Sequence, residues 1–170
     1  MISLMGKSRC KTHGSVSFRS EVEELNGKEQ LKLNREANLH SLLVISSCFF
    51  MIPGIYAFIN DVPTLGLLSC ITTIISINYW RDAVDGWRRH TDLVIAKVSF
   101  CIYFIIGVIH VRDWHILIVG WPNTALILGS YFYSNSLWNK GSPHWIYCHM
   151  AFHLFVSIGQ LIVVHGSYVV

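Results

Sequence analysis

Charge is what this 170-residue sequence lacks: 14% of its residues are Asp, Glu, Lys or Arg, where a soluble globular chain carries about a quarter. The shortage is uneven. Residues 1–40 hold twelve of the 23 charges, seven basic (Lys7, Arg9, Lys11, Arg19, Lys28, Lys32, Arg35) and five glutamates, leaving eleven for the other 130 residues. That is too few to clothe a water-soluble globule, so a soluble enzyme and a disordered chain are excluded. A nucleic-acid binder is excluded too, because the net charge is only +3 and the basic excess lies in the tail. Several signals are also absent. The five cysteines (Cys10, Cys48, Cys70, Cys101, Cys148) form no C-x-x-C pair and read as reduced, buried thiols. There is no Asn-x-Ser/Thr site and no repeat; the first apolar run starts near residue 41, behind the charged tail, so no cleavable signal peptide is expected and that run is expected to act as its own insertion signal.

What the sequence has is hydrophobic length. Apolar stretches of spanning size, roughly 17 to 25 residues, occur over about 41–59, 64–80, 92–110, 115–133 and 145–165. Within hydrocarbon each backbone donor and acceptor is paired inside its own segment, so these stretches read as helices; a barrel needs alternating patterns and more strands. The expected fold is all-α, a polytopic transmembrane bundle of about five spans over 41–170. Residues 1–40 read as a polar, largely solvated cytoplasmic tail, with a short surface helix over Glu21 to Arg35 as the other reading.

Basic residues orient the spans. If the tail, the loop around 81–91 and the loop around 135–144 share one side, that side holds eleven basic residues, among them Arg81, Arg88, Arg89 and Lys140, against Arg112 on the other. This puts the N-terminus in the cytoplasm and the C-terminus on the opposite side. Tryptophans agree: Trp80, Trp87, Trp138 and Trp145 fall at the inner interface, Trp114 and Trp121 near the outer one. The segment from Tyr79 to His90, dense in aromatics and charge, reads as an interfacial anchor, with headgroup binding as its second role. Lys97 is expected to snorkel.

A polar side chain inside a span turns toward the bundle interior or a water-filled cavity. At about 100 degrees per residue, His149, His153, Ser157 and Gln160 form one stripe on the fifth span. Asp92, Ser99, Tyr103 and His110 share a face of the third, and Ser69, Thr73, Ser76 and Trp80 a face of the second. By the topology above, Ser76, Asp92, His149 and His153 lie in the cytoplasmic leaflet.

Two histidines at i and i+4 share a helix face, the spacing for two nitrogen ligands of one zinc ion; catalytic zinc needs a third protein ligand and an open position. Interior hydrogen bonding is the other reading of the pair. Asp92 reads either as a group orienting a water or a ligand histidine, or as a helix N-cap or first-turn acid beside Thr91. Ser76 is a substrate contact or a small residue that lets helices approach.

The run from Cys148 to Ser157 (Cys-His-Met-Ala-Phe-His-Leu-Phe-Val-Ser) resembles the last-helix motif H-x-x-[FW]-H of the CREST hydrolase superfamily. That group includes the alkaline ceramidases, the progestin and adiponectin receptors and the GPI-anchor lipid-remodelling hydrolases. Its second helix carries a serine followed four residues later by a histidine, and its third helix begins with an aspartate; Ser76 and Asp92 match the serine and the aspartate. The resemblance covers three helices and implies zinc held by His149 and His153, Ser76 and Asp92 around the zinc water, and hydrolysis of an amide or ester in a membrane lipid. It also implies a third histidine where this chain has Trp80. His90 or His144 replaces that ligand only if the loops fold inward. The family has seven spans where five are visible here. The expectation is a reduced zinc-dependent lipid hydrolase. The alternatives are a non-catalytic membrane scaffold, partner subunit or lipid-binding protein, and, further off, a haem-binding electron carrier.

Overall fold

The computed structural model describes residues 41–81 and 86–168, so both readings of the 1–40 tail lie outside the described residues. The described chain is helical and has no strand. Its elements are α1 (Ser41–Ile59), interrupted by a 3-10 turn at Cys48–Phe50, α2 (Pro63–Trp80), α3 (Trp87–His110), α4 (Trp114–Asn139) and α5 (Trp145–Tyr168). Four of them, α1, α3, α4 and α5, are long and apolar enough to cross a membrane, which makes this a multi-pass membrane protein. The fifth expected span, 64–80, is a helix but not one of these four. At 18 residues α2 is about 27 Å long, and Thr64, Ser69, Thr72, Thr73, Ser76 and Asn78 dilute its apolar content.

Helix ends differ from the apolar runs in one direction. The helix expected at 92 begins at Trp87, and the one expected to end at 133 runs to Asn139. Hydropathy marks where the chain is apolar, whereas backbone hydrogen bonding continues through the polar interface. Asp92 is therefore one turn inside α3, whose first turn holds no acid and whose N-cap is Gly86, so the capping reading of Asp92 is overturned. Thr91 donates its hydroxyl to the Trp87 carbonyl at 2.9 Å.

In the packing α1, α2, α3 and α5 close a ring, each touching the next, while α4 lies on the outside against α5. Small and hydrogen-bonding residues knit such contacts where lipid removes the hydrophobic drive. Pro53, buried in α1, has no N–H for the Phe49 carbonyl one turn back; Ser157 on α5 donates there instead at 2.7 Å. Asn123 on α4 donates to the Phe155 carbonyl at 3.0 Å, an approach that Gly159 permits, since a Cβ there would stand 2.9 Å from the Asn123 amide nitrogen. The outward faces carry apolar side chains such as Ile55, Ile74, Ile105 and Phe132. Cys48, Cys70, Cys101 and Cys148 are free thiols as expected, but Cys48 and Cys101 face outward rather than into the core.

Candidate functional site

The three polar stripes turn inward. Ser69, Thr73, Ser76 and Trp80 of α2, Ser99 and Tyr103 of α3, and His153, Ser157 and Gln160 of α5 are all buried, with Asp92 and His149 half-buried. His110 departs from its stripe and is exposed. Lys97 is exposed as well.

At the end where α5 begins, these faces meet in one cluster. The rings of His149 and His153 lie with centroids 4.7 Å apart at 67°. His153 Nδ1 is 2.8 Å from the Ser46 hydroxyl, which donates to the Leu43 carbonyl at 3.0 Å. Since the serine proton is so used, the ring Nδ1–H donates to Ser46 and Nε2 keeps its lone pair. The next residue, Ser47, lies 3.0 Å from Ser76 through their hydroxyls, and Ser76 hydrogen-bonds the Asp92 carboxyl. Adjacent serines of α1 therefore bridge the histidines of α5 to the serine and carboxyl of α2 and α3. His149 is flanked on the other side by Ser134 of α4, whose hydroxyl donates to the Trp145 carbonyl at 3.1 Å and sits 3.5 Å from His149 Nδ1.

Trp80, expected both on the inward stripe of the second span and at the inner interface, is 6% exposed and turned inward. Its ring stands 5.0 Å from that of His149, so the side chain four residues after Ser76 does reach the histidine pair, but as an indole. Its N–H is buried and meets no acceptor among the described residues, a situation that costs roughly 1–3 kcal/mol unless a ligand or water supplies one. Trp87, Trp114, Trp121 and Trp138 are exposed, as interfacial anchors should be.

His90 and His144, the possible third ligands, are both exposed, and His144 stacks loosely on Tyr147 at 6.4 Å. Among the described residues no group of three His, Cys, Asp or Glu is gathered to hold a metal. Two imidazoles of one helix, with Trp80 beside them where the motif resemblance expects a histidine, are one ligand short of the three protein ligands of a catalytic zinc site.

Away from this end the polar seam continues inward. Thr72 and Ser99 hydroxyls lie 2.6 Å apart; Ser69 is 2.7 Å from the Tyr103 hydroxyl and 3.4 Å from Gln160 Oε1. At the far end Tyr56 pairs with His165 at 2.9 Å. Ser46, Ser47, Ser134 and Asn123 were missed as participants. Their signals were present: adjacent serines in an apolar run, and hydroxyl or amide side chains on one face of α4 at 123, 130 and 134.

Fold and site define a class: an all-α, multi-pass membrane protein with a buried imidazole, hydroxyl and carboxyl cluster at one end. Comparison with protein-family models, with curated proteins and with solved structures gives no match.

Proposed function

We propose that this protein is a reduced relative of the CREST lipid hydrolases, acting on an amide or ester of a membrane lipid, with His149, His153, Ser76 and Asp92 as its site. The observation that carries the reading is a pair of hydrogen-bonded links, His153 to Ser46 and Ser47 to Ser76 and on to Asp92, joined where Ser46 and Ser47 both donate to the Leu43 carbonyl. Four helices contribute to it, and the residues are those that the motif resemblance singles out. In this reading His153, held by Ser46, offers Nε2 as base or ligand, Asp92 orients Ser76, and the Trp80 N–H donates to a substrate oxygen beside His149. Zinc held by His149 and His153 is part of the proposal; when bound it supplies Lewis-acid activation for hydrolysis. In this reading the end of the bundle where α1 starts, and the N-terminus, face the cytoplasm, which the excess of basic residues on that side supports.

The test is hydrolysis itself. Full-length protein in zinc-supplemented vesicles of mixed phospholipids and ceramides should release fatty acid, read by mass spectrometry, and His153→Ala should reduce the release to background. Wild-type protein that stays helical and releases none would contradict the proposal. A second reading, a non-catalytic scaffold or lipid-binding subunit, is favoured by one observation: Trp80 fills the corner where the third ligand belongs. It predicts that fatty-acid release is absent while the purified protein keeps bound lipid or a partner chain.

A further inference from the structure

Away from the histidine pair, the side of the bundle formed by α3, α4 and α5 is hollow. α3 and α4 are joined only by Val111–Asp113, yet α4 packs on α5 while α3 packs on α2 and α5. They meet through the rings of Phe104 and Trp121, whose centroids are 6.2 Å apart. Between them lies a cavity of about 350 Å³, within the roughly 300–1,000 Å³ range of ligand sites. Its walls are mostly apolar. Tyr103 and Gln160 lie toward the bundle centre, and Arg112, just past the end of α3, lines the other extremity. Gly120 keeps the space open: a Cβ there would sit 3.6 Å from Ile162, ordinary contact distance, with the rest of a longer side chain filling the void.

Charge identifies the occupant. Arg112 is the one ionic residue lining the cavity, and it forms no ion pair among the described residues. The neighbouring Asp113 carboxylate is turned away to the His115 amide at 2.8 Å, capping α4. Trp121 on the cavity wall and Trp114 at the start of α4 are 56% and 61% exposed, the residue type that marks membrane interfaces. An apolar wedge open to lipid, ending at an unpaired guanidinium beside tryptophans, has the chemistry of an acyl chain below and a phosphate above. We propose that the wedge between α3 and α4 binds one acyl chain of an anionic phospholipid from the leaflet on the Arg112 side, with its phosphate on Arg112. The inference uses the half of the bundle opposite the histidines and stands apart from the hydrolase reading.

The experiment is native mass spectrometry of the full chain purified in detergent and offered equal amounts of phosphatidylglycerol and phosphatidylcholine with the same chains. Phosphatidylglycerol should be retained over phosphatidylcholine by about fivefold, the worth of one basic group beside an anionic headgroup. Arg112→Gln should keep lipid but lose the preference. Gly120→Leu should retain less of both lipids, with Thr124→Leu as a second filling variant should the first fail to fold; circular dichroism reads helix content. Equal retention of the two lipids by wild-type protein would overturn the proposal. So would a filled variant of unchanged helicity that holds as much lipid as wild type.

Discussion

Where α5 begins, its first turns close on α1, α2 and α4 through imidazoles, hydroxyls and an indole; where α3 ends, α3 and α4 part and leave a cavity of about 350 Å³. The two ends differ in side-chain chemistry more than in apolar content. The closed end owes its contact to groups that hydrocarbon cannot satisfy, so its hydroxyls and the His153 imidazole draw partners, with the Trp80 N–H left over among the described residues. The open end has Gly107, Val108, Ile116 and Gly120 on facing walls, which neither demand partners nor fill space. In lipid, apolar surfaces gain little by touching each other rather than acyl chains. A gap there is tolerated, while an unpartnered hydroxyl at the other end is not.

This contrast can be broken from either side, and the largest effect should come from the histidines. His153→Ala removes the group at the centre of the closed end; fatty-acid release should fall by about 10²–10⁴-fold, the usual worth of a general acid or base, while lipid retained in the α3–α4 wedge stays unchanged by native mass spectrometry. Ser46→Ala leaves both imidazoles but removes the partner that fixes the His153 tautomer. Zinc affinity, followed by chelator competition, should weaken by about 10–100-fold. Trp80→His sharpens the comparison by putting a third imidazole where the indole now meets His149. Zinc should then resist chelator by about tenfold or more, and an unchanged affinity would show that the α2 position does not reach the ion.

The smallest effects concern the seam alone. Ser157→Ala leaves the Phe49 carbonyl, already deprived of a donor by Pro53, without its hydroxyl partner. It should lower stability against detergent denaturation by up to about 1.7 kcal/mol, the top of the range for interhelical hydrogen bonds in membranes. Thr72→Val, which loses the hydroxyl pair with Ser99 and a bond within its own helix to the Leu68 carbonyl, should lose about 0.6 kcal/mol, the average for an interhelical pair. If the two variants were equally destabilised, the account of Pro53 and Ser157 would be wrong.

Most of the closed end was legible in sequence, because a polar residue in a span announces its own orientation. The stripes on α2, α3 and α5 needed only a 3.6-residue period and the scarcity of charge. Trp80 carries two expectations, the interfacial belt and the inward face of the second span; the inward one holds, and its contact with the His149 ring comes from tertiary packing that periodicity does not give. The bridging role of Ser46 and Ser47 was hidden for another reason: two neighbouring serines show no stripe, and their importance lies in facing two different helices. The open end was illegible because glycines and aliphatics read alike whether they pack or leave a void. Helix ends were read short wherever the helix ran on through polar interface residues, as at Trp87–Thr91 and Ser134–Asn139.

The central claim is that the histidine pair is a ligand site and not only a knot in the bundle. Zinc content tests it most directly, measured by elemental analysis of full-length protein after equilibration with zinc and removal of the excess. The account predicts about one zinc per chain in wild type and none in His149→Ala or His153→Ala. Helical wild-type protein free of zinc, or zinc retained equally by both variants, would contradict it.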